Sequence, residues 1–269
     1  MAGEDLSGKV AVITGASMGI GEEIARLFAA HGASVVLLSR DPGRAESARA
    51  RIGNTDRTLA LACDVRNPEE IDRVISLTLH HFRRIDIWIN NAGHGIQDSI
   101  ASAEMAACRE TFETNFFGAL AGMKAVIPLM RAQRSGAIIN VSSVAGHIPV
   151  PFMGIYCATK FALNAIGKAA RMEEPGINVL TVCPGYVRTE FSANAVRGKE
   201  SNQVRPESVR GISAERVARA VLRGYKQQKR EVVVPWTMKP AITLYQLFPG
   251  LVERVMVRAA RSSRAQSTL

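Results

Sequence analysis

The sequence predicts an α/β fold: one domain in which a mainly parallel sheet carries helices on both faces. Three observations lead there. Short runs rich in Val, Ile and Leu alternate with segments whose apolar residues recur at helical spacing, from residue 9 to residue 234. These runs are apolar at successive rather than alternate positions, the pattern of strands buried on both faces. No linker, low-complexity tract or internal repeat breaks the alternation, so most of the 269 residues share one core.

Residues 9–15 (KVAVITG) read as the first strand. Ile20, Ile24, Leu27 and Phe28 follow at helical spacing, and Gly32 is placed to end that helix. Residues 34–39 (SVVLLS) form the second strand, after which Asp41-Pro42 starts a turn. A strand at 58–63, a helix at 68–82 and a strand at 85–89 continue the series. Helical sequence covers most of 102–134, where Gly118 and Pro128 are expected to interrupt or bend it. Residues 137–141 form a strand with Ser143 at its close, 156–171 a helix that Pro175 stops early, and 177–182 a strand. A helix over 213–227 begins at a Ser N-cap, and 231–234 is the last strand.

Composition excludes several classes. With 47% hydrophobic and 22% charged residues the chain is neither disordered nor fibrous. No apolar run reaches the roughly 18 residues of a bilayer span, and the first nine residues lack the apolar core of a secretory signal. The four cysteines lie far apart without a C-x-x-C pair, which predicts neither a zinc site nor a disulfide framework and points to a reducing, cytoplasmic setting. The formal net charge is +10, but residues 223–269 hold nine basic residues against two acids and so account for +7 of it. The basicity belongs to the C-terminal end.

The turn Thr14-Gly15-Ala16-Ser17-Met18-Gly19-Ile20-Gly21 joins the first strand to the first helix. Glycines there permit a tight turn, let backbone approach a pyrophosphate, and aim a helix N-terminus at the phosphates. At the tip of the second strand an acid would take a ribose 2′-hydroxyl, whereas a base would accommodate a 2′-phosphate. This chain has Ser39-Arg40, so Arg40 reads either as a solvated loop arginine or as an NADP phosphate ligand; the latter is preferred. Tyr156 and Lys160 stand four residues apart on one helix face, where an ammonium beside a phenol should favour the phenolate. Ser143, Asn90-Asn91-Ala92-Gly93 and Asn115 would meet them at the carboxyl ends of the strands.

With TGASMGIG at 14–21, Asp64-Val65, NNAG at 90–93, Asn115, Ser143, Tyr156-Cys-Ala-Thr-Lys160 and Pro184-Gly185-Tyr-Val187-Arg-Thr189 in this order, the chain resembles the short-chain dehydrogenase/reductase family over residues 8–235. The resemblance implies a Rossmann-type doubly wound sheet. It implies an oxidoreductase that interconverts a carbonyl compound and a secondary alcohol by hydride transfer with NADP(H), NAD being the less favoured cofactor. Tyr156 would donate or remove the proton, Lys160 would lower the Tyr156 pKa and hold the nicotinamide ribose, and Ser143 would bind the carbonyl oxygen. Asn115 would hold a relay water. Gly15, Ser17, Gly19, Ile20, Gly21, Arg40, Asp64, Val65, Asn91, Ala92 and Gly93 would line the cofactor site, with Tyr156, Lys160, Pro184, Gly185, Val187 and Thr189 at the nicotinamide end. No metal is implied. An NAD-dependent enzyme of the same family and a non-catalytic, cofactor-binding regulatory or membrane-associated protein are the competing readings.

Residues 191–211 follow the cofactor turn as a substrate lid, either solvated or anion-binding through Arg197, Lys199, Arg205 and Arg210. Ile148, Val150, Pro151, Phe152 and Met153 read as an apolar pocket wall for a hydrophobic ketone or secondary alcohol. The short connection 171–177 is about two residues shorter than usual in the family and remote from the motifs. Residues 1–239 form the catalytic domain, and 240–269 a basic amphipathic extension similar to that of steroid-dehydrogenase-like members, broken at Pro249-Gly250. That extension reads as a cover for the core or a subunit interface in a homo-oligomer, or as peripheral contact with an anionic membrane; nucleic acid is the least favoured partner.

Overall fold

The computed structural model describes residues 6–53, 55–199 and 211–265. The expectations placed on Arg205 and Arg210 lie outside these residues. β1 (Val10–Thr14), β2 (Ser34–Ser39) and β3 (Thr58–Ala62) are linked by α1 (Gly19–Ala30) and α2 (Pro42–Ile52). α3 (Pro68–Phe82) crosses to β4 (Ile87–Asn90), which is followed by the two-residue β5 (Ile96–Gln97). α4 (Met105–Phe112) and α5 (Gly118–Gln133) lead to β6 (Ala137–Val141), and α6 (Gly154–Glu173) leads to β7 (Asn178–Pro184). The short strands β8 (Val187–Arg188), β9 (Val196–Arg197) and β10 (Ile212–Ser213) precede α7 (Ala214–Lys226) and β11 (Glu231–Val234). α8 (Lys239–Leu247) and α9 (Pro249–Ala265) follow.

Seven strands form one sheet in the order β3-β2-β1-β4-β6-β7-β11, every pairing parallel. Strand order reverses between β1 and β4, which opens a crevice at their carboxyl ends, where an open parallel sheet binds its ligand. The two-sided burial inferred from the strands is explicit in β1. Ala11 and Ile13 pack among Phe28, Val217 and Val221 on the α1/α7 face, while Val12 packs with Trp88, Met123 and Val126 on the other. Trp88 is fully buried, and its indole N–H donates to Asn90 Oδ1 at 2.7 Å. Gly122 of α5 admits this ring, since a Cβ there would lie 2.6 Å from the indole nitrogen.

Three local expectations change. Asp41-Pro42 opens a helix rather than a simple turn: the Asp41 carboxylate accepts the Arg44 N–H at 3.1 Å and Pro42 takes the first helical position. α2 escaped the periodicity argument because it buries only Ala45 and Ala48, too small a stripe to register. Pro128 sits inside α5 without ending it, and the irregularity falls instead at a π-helical stretch, Glu113–Phe117. Pro175 does end α6, at Glu173, and Pro249 does divide the tail into two helices.

Candidate active site

The glycine turn is shaped by close backbone approach. Gly15 holds φ +63°, and a Cβ on it would sit 2.8 Å from the Ala92 Cα; on Gly21 it would meet the Gly15 carbonyl at 2.4 Å. Gly19 holds φ +58° within van der Waals range of Thr189, so the turn faces the Pro184–Thr189 segment. Asn91 turns its amide inward, donating to the Thr14 and Gly15 carbonyls at 2.9 and 3.0 Å. Thr14 Oγ1 accepts the N–H groups of Asn91 and Ala92, each at 2.9 Å. Thr14 thus ties the ends of β1 and β4 together, a role the sequence reading missed although a hydroxyl closing an otherwise apolar strand was its signal. Ile20 packs against the core, so only its backbone is left for a ligand.

At the β2 tip, Ser39 Oγ donates to Ser17 Oγ at 3.2 Å, and Arg40 next to it is exposed. Asp41 is withdrawn into the α2 cap. Burial would raise the Asp64 carboxyl, but hydrogen bonds from the Arg66 side chain and backbone outweigh it and hold the carboxyl below its ordinary range. Val65 is buried against Gly118, where a Cβ would come within 2.7 Å of it. His94, which the sequence reading did not single out, hydrogen-bonds Thr111 at 3.2 Å and is depressed by burial, hence neutral.

The four catalytic candidates converge. Asn115, in the π-helical stretch, accepts the His94 N–H and donates to the His94 carbonyl, both at 2.9 Å, clamping the backbone after Gly93. Ser143 Oγ accepts the Ala145 N–H at 3.1 Å, donates toward the Pro184 carbonyl at 3.3 Å, and is hydrogen-bonded to Tyr156. Tyr156 and Lys160 share a face of α6, with Nζ 5.7 Å from the phenol ring centre. Lys160 is 5% exposed and donates to the Val141 carbonyl at 3.0 Å. The net electrostatics differ from the expected lowering of the phenol. Burial pushes Tyr156 up, opposed by the Ser143 hydrogen bond, and burial pulls Lys160 down to about 8. Desolvation outweighs mutual help because both groups are nearly inaccessible.

Gly185 N–H bonds the Val234 carbonyl at 2.7 Å, fixing the turn that carries Val187 and Thr189 past the glycine loop. The described part of residues 191–211 pairs with β5 through β9, and Val196 N–H donates to the Gly95 carbonyl at 2.9 Å. Phe191 meets the Tyr156 ring edge to face at 5.7 Å between centres. Val150 and Met153 pack in this cluster, but Ile148 does not: it turns inward among Val144, Cys183, Val233 and Ile242. Pro151 and Phe152 line a groove together with Val150, closed by Tyr245 and Met256.

Comparison with known proteins agrees with this geometry. Residues 9–200 match the short chain dehydrogenase family. Dehydrogenase/reductase SDR family member 7B of Danio rerio is 35% identical over 272 residues, spanning 96% of this chain and 87% of its own. A short chain dehydrogenase/reductase from Burkholderia phymatum, solved in complex with NAD, superposes with a TM-score of 0.82 over 92% of this chain and 96% of its own. At 23% identity that likeness speaks for the fold. A short-chain dehydrogenase from Sphingobium yanoikuyae, solved in complex with NADPH, has a TM-score of 0.76 at 26% identity over 91% of this chain and 95% of its own. The glycine turn, the Tyr156–Lys160 face and this match make the chain a member of the short-chain dehydrogenase/reductase family, an NAD(P)-dependent oxidoreductase.

Proposed function

We propose that the protein interconverts a hydrophobic carbonyl compound and its secondary alcohol, using NADP(H) and Tyr156 as general acid/base. The observation that carries this reading is the buried Tyr156 phenol, hydrogen-bonded to Ser143 and backed by the Lys160 ammonium, beside an apolar wall of Val150, Met153 and Phe191. The site fits a dinucleotide: the glycine turn leaves no room for a Cβ at Gly15 or Gly21, and Lys160 has N–H donors beyond the one spent on Val141. Gly15, Ser17, Gly19 and Gly21 would hold the pyrophosphate end, Asp64, Val65 and Ala92 the adenosine, and Lys160, Val187 and Thr189 the nicotinamide end. When bound, the cofactor supplies or accepts hydride.

Ser143 Oγ positions the substrate oxygen, and Tyr156 Oη holds the proton that this oxygen takes up on reduction. Asn115 has its side chain committed to His94, so a relay water would sit on its main-chain carbonyl.

Preference for NADP rests on the β2 tip. Arg40 is exposed beside the Ser17 and Ser39 hydroxyls, while the neighbouring acid, Asp41, is occupied as a helix cap. Against a panel of carbonyl compounds, Arg40→Ala should raise the NADPH KM by about 10- to 100-fold, the worth of one charge-assisted phosphate contact, and leave NADH kinetics unchanged. Better turnover with NADH in both proteins would sink the assignment.

We also infer a cytoplasmic homo-oligomer whose tail covers the core or a subunit contact, Ile242 packing on Val144, Cys183 and Val233, with peripheral contact at an anionic membrane as the second reading. No described helix is long and apolar enough to cross a bilayer. Leu244, Leu247, Phe248, Leu251 and Val255 are exposed on α8 and α9, with Arg254 and Arg258 beside them and Trp236 71% exposed nearby. Phe117, Phe161 and Met172 form a second exposed apolar set suited to subunit contact. Sedimentation with phosphatidylserine-containing vesicles should recover the protein, and Leu247→Ser combined with Leu251→Ser and Val255→Ser should release it. Equal partitioning of both forms would remove the membrane from this reading.

A further inference from the structure

The cysteine spacing shows no metal motif, yet the fold gathers three ligand-type side chains from distant segments. His147 ends the 3-10 turn Val144–Gly146, Cys183 lies near the end of β7, and Glu231 begins β11. Cys183 Sγ and Glu231 Oε2 each lie 3.4 Å from His147 Nε2, and the three ligand atoms lie within 4.8 Å of one another. His147 and Cys183 are buried, while Glu231 is 32% exposed on its side chain and leaves a way in from solvent. We propose that His147 Nε2, Cys183 Sγ and Glu231 Oε2 form a binding site for one zinc-class divalent cation.

Hydrogen bonding accounts poorly for the cluster. A neutral imidazole nitrogen serves one donor or one acceptor, and here three groups crowd the same atom, since Asn164 Nδ2 also lies 3.4 Å from it. The His147–Glu231 contact, at 3.4 Å, exceeds the 2.7–3.2 Å range of good N–H···O bonds. Tetrahedral zinc, at about 2.0 Å from N and O and 2.3 Å from S, would separate its ligand atoms by about 3.3–3.6 Å. The two spacings to His147 Nε2, 3.4 Å each, fall in that interval, and the Cys183–Glu231 pair lies within 4.8 Å. A buried amide borders the cluster. Asn164 is 4% exposed, its Nδ2 is fixed on the Gly146 carbonyl at 2.8 Å, and its Oδ1 is buried without a hydrogen-bond partner among the described residues. A water would serve as the fourth ligand.

A Cys–His–Glu nucleophilic triad is the competing chemistry, and the geometry argues against it. A triad places nucleophile and acid on opposite ring nitrogens, whereas Cys183 and Glu231 both approach Nε2, and Cys183 is wholly inaccessible. On metal binding the Cys183 S–H bond breaks, the sulfur–metal bond forms, and the proton leaves to solvent. Burial and the Glu231 charge hold the Cys183 thiol protonated without a metal, and thiolate and carboxylate together would neutralise a bound divalent ion. Ser143 stands four residues before His147 and Pro184 follows Cys183, so the metal would fasten the Ser143 turn to β7 and β11.

The test uses the full chain, kept reduced with a non-thiol reductant, stripped by chelator and titrated with Zn2+ or, separately, Co2+. One Zn2+ per chain should be retained on desalting, the melting temperature should rise with Zn2+, and Co2+ should give a thiolate-to-metal charge-transfer band. Cys183→Ser and His147→Gln should each weaken Zn2+ binding by more than about 100-fold, beyond what loss of a supporting contact costs. Glu231→Gln, at a half-exposed position that tolerates the change, supplies a third measurement should a buried variant fail to fold. His80→Gln with His81→Gln, on the exposed end of α3, should leave uptake unchanged. Sub-stoichiometric retention, uptake indifferent to the three ligand variants, or uptake lost with His80 and His81 would each overturn the proposal.

Discussion

Tyr156→Phe should lower kcat for carbonyl reduction by about 10^3-fold while NADPH affinity stays within a few-fold of wild type. The substitution deletes one oxygen from a side chain that is 7% exposed and leaves the ring, its Phe191 contact and its place on α6 intact. What disappears is the proton held against the substrate oxygen, a group that acts in the transition state, so kcat falls rather than KM rising. Stability should change by no more than about 1 kcal/mol, the worth of the lost hydrogen bond with Ser143. The pH dependence follows from the sign of the phenol shift. Burial raises the Tyr156 pKa, so the proton-donating form persists through neutral pH and reduction should proceed there. Alcohol oxidation needs the phenolate and should climb as pH becomes alkaline. Steady-state rates in both directions, with cofactor binding followed by fluorescence, would check this. Retention of more than about a tenth of kcat would refute the assigned role.

The order of strands and helices was legible because β1, β2 and β4 are apolar on both faces, a pattern only a covered parallel sheet satisfies. The candidate catalytic set was legible through the resemblance instead: Ser143, Tyr156 and Lys160 stand in the order and spacing of the family's motifs. The less visible features lack a local signature. α2 buries two alanines, and the π-helical turn at Asn115 lies between α4 and α5 with no glycine or proline inside it to mark it. Ile148 lies between Ser143 and Tyr156 in sequence yet faces β11 and α8, since the 3-10 turn after Ser143 redirects the chain. The His147, Cys183 and Glu231 cluster depends on strand register, with β7 and β11 side by side, which no spacing rule reads.

Lys160→Met should make the protein more stable at neutral pH while nearly abolishing turnover. The ammonium lies in a site where it is 5% exposed and burial pulls its pKa from 10.5 to about 8. In the unfolded chain the same group is charged at no penalty. Keeping it protonated in the fold therefore costs about 3 kcal/mol at neutral pH. Methionine fills a similar volume without charge but leaves the Val141 carbonyl without its Lys160 donor, which returns about 1 kcal/mol. The net gain of about 2 kcal/mol corresponds to about 4–8 °C in melting temperature for a domain of this size. The folded-state pKa lies below the unfolded one, so the penalty is full below about pH 8 and fades as the folded protein sheds this proton. The advantage of methionine should therefore shrink from about pH 8 upward and reverse near pH 10, where only the lost Val141 hydrogen bond remains. Melting curves of both proteins across that range decide the matter. A melting temperature lower than wild type at neutral pH would show that the fold stabilises the ammonium. The predicted pattern would instead mark Lys160 as a charge held for chemistry at the expense of stability.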